Sequence, residues 1–297
     1  MQPQHLIVLV NPQSGTKRGL AVLERVRPIF KDAQVELDVR LTQYPGNASE
    51  IARTLDLNKS DGICVIGGDG TVHEVADGLM QRMESDLIPL GIIPAGTGNT
   101  LAEHLQCGDP LNAARRIAIG AVQPLDVIRG TLQNRIVHCI DLVGWGAVAD
   151  INGTAEKLRL LGTIRYTAAT LWQVLVAKRR HATLTLDDQK LAGDFLFVVA
   201  CNPKYAGPGM MLAPHADLGD GKIDVIVVRN ATRWEMLKLF TKVFNGSHLT
   251  LNFVEYHQVR SFAIESKTSD LLDLDGEMKG KAPMTAVVLP SALWMFA

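Results

Sequence analysis

The segment from residue 62 to 79, GICVIGGDGTVHEVADGL, restricts the fold more than any other stretch of this chain. Ile63, Cys64, Val65 and Ile66 form an unbroken apolar run, the mark of a buried strand. Gly67, Gly68, Asp69, Gly70 and Thr71 then turn the chain, and Val72, Val75, Ala76 and Leu79 recur at helical spacing. A strand that passes through glycines into a helix start presents backbone N–H groups, and the helix dipole there favours an anion. The glycines let the backbone come close to a phosphate. Asp69 is the odd member, a carboxylate inside an anion-friendly loop. It reads as a base or as an oxygen ligand for Mg²⁺.

The theme recurs twice. LGIIPAGTGNTLAEHL, residues 90 to 105, and VLVNPQSGTKRG, residues 8 to 19, each pair an apolar strand with a Gly-containing turn and a helix start. Thr71 with Glu74, and Thr100 with Glu103, fit the Ser/Thr-x-x-Glu capping box, which predicts helix N-termini at both places. One glycine-rich loop is often an ordinary turn. Three such loops after apolar strands point to one nucleotide site at the carboxyl ends of a parallel sheet.

Up to about residue 122 the pattern alternates strand and helix. Strands are expected at 6–10, 35–41, 62–66 and 90–93, and helices at 19–31, 48–57 and 111–118. Beyond Pro124 short strands dominate, at 126–129, 136–142, 182–186, 195–201, 223–228, 262–265, 271–274 and 286–289. Helical inserts are expected near 155–180 and 232–245. The fold class is therefore an α/β nucleotide-binding domain with a three-layer, Rossmann-like parallel sheet, plus an antiparallel β-sandwich. The domains are expected at 1–122 and 123–284. An apolar fraction of 47% supports a sizeable core, and a net charge of −1 provides no field for nucleic acid. No run of 18 apolar residues implies a transmembrane helix, and the N-terminus lacks the basic region of a signal peptide. Cys64, Cys107, Cys139 and Cys201 are far apart, which fits reduced thiols and a cytoplasmic setting.

GGDGTVHE and PAGTGN resemble the GGDG-x-x-HE and PAG-[ST]-GN motifs of the diacylglycerol kinase and sphingosine kinase superfamily. Residues 140 to 171, with GWG, AD and EKLRLLG, are similar to the lipid-recognition segment of sphingosine kinases. LDLDGEMK, residues 272 to 279, resembles the closing DGE motif. Five motifs in family order cover nearly the whole chain. The resemblance implies an ATP- and Mg²⁺-dependent lipid kinase that visits the membrane peripherally, meets its lipid substrate there, and leaves a homodimer as an open alternative. In that family the last strand, here 285–297, returns to the first domain. The resemblance places Asn11, Gly15, Thr42, Gly67, Gly68, Gly70, Thr71, Gly96, Thr97, Gly98, Asn99, Arg159 and Arg165 at the nucleotide. It places Asp69 as general base, Asp275 and Glu277 near Mg²⁺ and the transferred phosphoryl, and Asp150 and Asn152 at the lipid headgroup. Asp220, with the carbonyls of Asp217 and Lys222, would hold a structural Mg²⁺.

Each assignment has a plainer alternative. The D-G pairs at 275–276 and 220–221 are common turn dipeptides. His73 reads as a packed histidine. The apolar insert with Leu158, Leu161, Tyr166, Leu171, Trp172 and Leu175, ending in Lys178, Arg179 and Arg180, is either a lid over an acyl chain or a core helix with cations at its C-terminus. Sphingosine kinases carry Asp where this chain has Asn152, which predicts weaker recognition of a protonated amine. NAD kinase, which shares GGDGT, and a non-catalytic lipid-binding protein are the rival functions.

Overall fold

The computed structural model describes residues 2–82, 88–133, 135–157 and 165–297. Contacts divide the chain into two units, one of residues 1–127 with 290–297 and one of residues 128–289.

In chain order the first unit contains β1 (His5–Val10), α1 (Ser14–Lys17), α2 (Gly19–Asp32), β2 (Glu36–Leu41), α3 (Asn47–Thr54), β3 (Gly62–Gly67), α4 (Asp69–Met80), β4 (Leu90–Pro94), α5 (Thr100–His104) and α6 (Pro110–Ile119). The strands pair in parallel in the order β2-β1-β3-β4. β3 and β4 are buried along their whole length, because helices cover both faces of the sheet. α2 packs with α6 and α3 with α4, which forms the two helical layers.

β5 (Val122–Leu132) leads into the second unit. There follow β6 (Arg135–Cys139), β7 (Leu142–Gly146), α7 (Ala147–Lys157), α8 (Arg165–Val176), β8 (Arg180–Leu186), β9 (Gln189–Phe195), β10 (Phe197–Cys201), β11 (Ile223–Val228), α9 (Arg233–Lys242), β12 (Val254–Val259), β13 (Ser261–Ser266), β14 (Leu271–Leu274), β15 (Glu277–Lys281) and β16 (Met284–Phe296). One antiparallel sheet runs β12-β11-β10-β7-β14-β15, and β16, β13, β8 and β9 continue the other. A core that includes Trp145, Phe195, Val198, Val225, Phe262 and Ile264 fills the sandwich. The other face of the six-stranded sheet, through Phe197, Val199, Ile226 and Val228, packs on Met236, Leu239 and Val243 of α9 and its C-terminal end. The fold class expected from the sequence is the one observed.

Two expectations are corrected. The run 136–142 is not one strand. It breaks at Ile140 and Asp141, because β6 pairs with β5 in one sheet while β7 pairs with β10 and β14 in the other. Strands β9, β12 and β15 have no counterpart among the expected elements. All three are sheet edges, where polar and charged residues replace the apolar alternation.

The end of β16 belongs to the first unit, where Met295 pairs in parallel with Leu90. Asp126, fully buried, accepts the Ser291 N–H at 2.7 Å and ties β16 to β5 there. Asp126→Ala strands buried polar groups, at a cost of about 1–3 kcal/mol. Urea unfolding should show that loss, and Asp126→Asn should recover part of it by keeping an acceptor. Parental stability in Asp126→Ala would mean that the β16 junction carries no weight.

Candidate active site

Chain order and strand order differ in the first sheet. β1 is followed by β2 on one side, and β3 lies on its other side, so the topological switch falls between β1 and β3. Helices leave such a point on opposite faces, which opens a crevice beyond the strand carboxyl ends. Asn11 follows β1 directly and spans this point. Its Nδ2 donates to Thr71 Oγ1 at 2.9 Å, and its own N–H donates to the Ile66 carbonyl at 3.0 Å. Thr42, at the end of β2, donates its N–H to the Val10 carbonyl at 2.9 Å.

The second and third glycine loops touch backbone to backbone. A Cβ on Gly96 would lie 2.5 Å from Gly68 Cα, and one on Gly98 would lie 2.5 Å from Asp69 Oδ2. Gly67 accepts at its carbonyl from the Ala95 N–H at 2.8 Å. The glycines thus bring the loops together as well as leaving room for a ligand. Asn11, Gly67, Gly68, Asp69, Gly70, Thr71, Gly96, Thr97, Gly98 and Asn99 share this end of the sheet. Gly15 joins them against the Ala95 carbonyl, 2.6 Å from where its Cβ would be.

The capping boxes expected at Thr71 and Thr100 do not form. α4 begins at Asp69, two residues before Thr71, and Thr71 Oγ1 serves Asn11 instead. Glu74 reaches the start of α3, where it accepts from the Gly46 and Ala48 N–H groups at 2.8 and 3.2 Å. The N-terminus of α5 is satisfied from outside its own segment. Asp69 Oδ1 accepts the Thr100 N–H at 2.7 Å, and Thr100 Oγ1 lies 3.4 Å from Asp69 Oδ2. A carboxylate at a helix N-terminus is favoured by the dipole. The bond also fixes the direction in which Asp69 faces. His73 is buried, as expected of a packed histidine.

In the second unit the DGE motif is a two-residue hairpin turn between β14 and β15, with Leu274 paired to Glu277. Asp275 (φ +52°) and Gly276 (φ +82°) both take the left-handed conformation that such turns require. Gly276 is exposed, but the aspartate beside it turns inward. Asp275 is buried, and its carboxylate accepts from the N–H groups of Ile140, Asp141 and Leu142 at 2.8, 2.9 and 2.8 Å. These amides sit where the chain passes from one sheet to the other. Glu277 is paired with Lys279.

Asp150 of α7 is held by Arg180, whose Nη2 lies 2.9 and 2.8 Å from the two carboxylate oxygens, and Arg180 Nε lies 3.3 Å from Asp270 Oδ1. Arg180 is therefore the first residue of β8 and a structural cation, not the basic end of a helix. Asn152 is buried and donates from Nδ2 to the Gly276 carbonyl at 2.5 Å, which anchors α7 to the DGE hairpin. Arg159 lies outside the described residues, as do Leu158 and Leu161; Arg165 opens α8.

In the loop 216–225, Asp217 Oδ1 accepts from the Gly219 N–H at 3.0 Å and Asp220 Oδ1 from the Lys222 N–H at 2.9 Å. Each carboxylate closes a local turn. Among the described residues there is no group of three or more His, Cys, Asp or Glu side chains that could hold a metal ion. The metal expected here would rest on the Asp220 side chain with the carbonyls of Asp217 and Lys222, and Asp220 Oδ1 is already engaged by the Lys222 N–H. A Mg²⁺ carried in with a nucleotide needs only one or two carboxylates, since phosphates complete its shell.

One acidic residue escaped the sequence reading. Asp273 lies two positions before Asp275 and is buried, with no hydrogen-bond partner at Oδ1. Burial pushes its carboxyl up to about 7, against partial relief from Asn152, and the neighbouring Asp275 and Glu277 add to the rise. The signal was available as a third acid in LDLDGE, but strand alternation alone does not tell a buried carboxylate from a solvated one. The native state keeps the Asp273 proton up to about pH 7, whereas the unfolded chain releases it near 3.8. The native state thus binds more protons between those values, and raising the pH across that window costs stability. Asp273→Asn should remove this part of the slope, so that urea unfolding at pH 5 and pH 8 shows the variant gaining on the parent at the higher pH. An equal difference at both pH values would mean that Asp273 is already ionised in the fold.

Known proteins share this arrangement. Residues 5–129 match the diacylglycerol kinase catalytic domain, and residues 141–297 match the YegS C-terminal NAD kinase beta sandwich-like domain. Sphingosine kinase 1 of Arabidopsis thaliana is 27% identical over 93% of this chain and 69% of its own length. Human ceramide kinase is 27% identical over 94% of this chain and 65% of its own length. A crystal structure of a putative diacylglycerol kinase from Bacillus anthracis str. Sterne superposes with a TM-score of 0.82 at 26% identity, covering 100% of this chain and 98% of that one. An NAD kinase from Archaeoglobus fulgidus shares the fold alone, at 13% identity and a TM-score of 0.52. Two family matches that together span most of the sequence, on the fold that carries them, place this chain in the diacylglycerol kinase and sphingosine kinase superfamily of lipid kinases.

Proposed function

We propose that the protein transfers the γ-phosphoryl group of ATP to a hydroxyl of a neutral lipid, of the diacylglycerol or ceramide type. The observation that carries the reading is Asp69, a carboxylate oriented by the Thr100 N–H in a crevice built from three glycine loops. Asn11 and the glycine loops bind the phosphate chain through backbone N–H groups. Asp69 takes the hydroxyl proton of the lipid as its oxygen forms a bond to the γ-phosphorus, and ADP leaves with the bonding electron pair. Mg²⁺, when bound with the nucleotide, neutralises phosphate charge. Asp275 acts as a positioning residue, since three amide donors already occupy its carboxylate. Asn11, Gly15, Thr42, Gly96, Thr97, Gly98 and Asn99 remain the nucleotide set of this reading.

The preference for a neutral headgroup rests on α7. Arg180 already compensates the charge of Asp150, and the amide of Asn152 is spent on the hairpin. Neither offers an uncompensated charge to a protonated sphingoid amine. NAD kinase is the weaker alternative, because its likeness to this chain is one of fold.

Transfer of ³²P from ATP to extractable lipid decides the class, with diacylglycerol, ceramide, sphingosine and NAD tested in parallel. The reading predicts label in a neutral lipid, lost in excess EDTA. Label in NAD alone would overturn it. Asp69→Asn should lower kcat by roughly 10²-fold or more, with a smaller change in KM. Near-parental kcat would move the base elsewhere. Asn152→Asp loses the donor to Gly276 and sets a second carboxylate beside Asp273. Its kcat/KM should fall for sphingosine and diacylglycerol together; a ratio that shifts towards sphingosine would return residue 152 to the headgroup.

A further inference from the structure

Of the chain's four tryptophans, one is fully buried at position 145, and the two most exposed, Trp172 and Trp234, lie on α8 and α9. These helices belong to the same unit and pack against each other. Trp234 is 81% exposed and Trp172 56%. Folding does not need either ring. α9 is started by a capping box between Thr232 and Glu235, and it buries Met236 and Leu239 against the six-stranded sheet. Its outward line is Trp234, Lys238 and Thr241, and Phe244 lies exposed just beyond its end. α8 buries Ala169 and Gln173, the latter donating to Thr154 of α7 at 3.2 Å, and exposes Leu171, Trp172 and Val176.

Charge follows the same helices. No acidic residue occurs from 165 to 180, and Lys178 and Arg179 are exposed directly after α8. In α9 Arg233 and Lys238 are exposed, while the single acid, Glu235, is spent on the capping box. A chain whose net charge is −1 thus gathers cations around its most exposed aromatic residues. Exposed large apolar side chains cost solubility unless a partner covers them. Tryptophan with lysine and arginine is the composition that favours the boundary between water and anionic lipid, where the ring sits at headgroup depth and the cations meet phosphate.

We propose that the outward side of α8 and α9, centred on Trp172 and Trp234 with Lys178, Arg179, Arg233 and Lys238, docks on an anionic membrane surface. The surface gives the lipid kinase reading, on which this rests, a defined face for meeting a bilayer.

Cosedimentation of the whole protein with vesicles tests this without ATP or substrate lipid. One set is phosphatidylcholine, the other phosphatidylcholine with phosphatidylglycerol. The parent should partition onto the anionic vesicles. Trp234→Ala and Trp172→Ala should each weaken partition about tenfold, as expected for withdrawing a large apolar group from the interface. Lys178→Gln with Arg179→Gln should weaken it about fivefold per charge, on anionic vesicles only. Trp234→Ala should keep the parental thermal unfolding and the parental rate on detergent-dispersed lipid. The proposal is overturned if the parent stays in solution with both vesicle types, or if the double tryptophan variant partitions like the parent. It is also overturned if sedimentation velocity shows the two rings holding a dimer together while vesicles are ignored. Failure of the kinase reading would appear instead in the detergent assay, where no lipid would be labelled by the parent.

Discussion

A buried carboxylate at Asp275 meets three backbone N–H groups where the chain leaves one sheet of the second unit for the other. Such a crossing breaks both ladders at once and leaves amides without a strand partner, and buried amides must be paired. Asp275 pairs Ile140, Asp141 and Leu142. Asn202 serves the same place from the other side: its Nδ2 donates to the Ile140 carbonyl and its N–H to the Asp141 carbonyl. The DGE hairpin therefore cannot move without exposing the joint of the sandwich. Asn152 extends the restraint to α7 through the Gly276 carbonyl. A short motif in sequence is thus a mechanical connection among β6, β7, β14, β15 and α7.

The first unit uses the same device with a different purpose. Asp69 caps α5 from the first residue of α4, and Glu74 caps α3 from within α4. Each carboxylate satisfies a helix end that lies elsewhere in sequence. The loops beyond β3 and β4 are consequently locked to each other, with Gly68 and Gly96 in backbone contact. A site that must bind phosphates through N–H groups gains from this, because donors held in place need not be ordered when the ligand arrives. Asp69 is both a structural acceptor and the candidate base, and its orientation comes from the first role.

The polar cluster behind the hairpin has a cost. Asp273 is buried beside Asp275 and Glu277, and burial holds its proton well above the ordinary carboxylate range. Two acids so close in sequence end in opposite conditions, one surrounded by amide donors and one lacking a partner at Oδ1. The pairing of Arg180 with both Asp150 and Asp270 likewise joins β8 to α7 and to the segment before β14.

By itself the sequence determined the elements whose cause is local or repetitive. Apolar runs at 6–10, 62–66 and 223–228 are strands because only burial on both faces suits them, and the glycine loops follow because the turns after β1, β3 and β4 tolerate little else. The two-part architecture was legible for the same reason, since the change from alternating helices to short strands is written in the spacing. Tertiary structure alone decided the partners of the polar residues. Thr71 and Thr100 fit a capping box in sequence, yet Thr71 Oγ1 accepts from Asn11, 60 positions away, and the Thr100 N–H is met by Asp69, 31 positions away. The edge strands β9, β12 and β15 were illegible because an edge has solvent on one side and so carries no apolar period. The break at Ile140 was illegible because what ends a strand there is a carboxylate 135 residues further along the chain. A hydrophobic pattern reports how deeply a segment is buried; which acceptor meets a given amide depends on three-dimensional proximity, which no periodicity encodes.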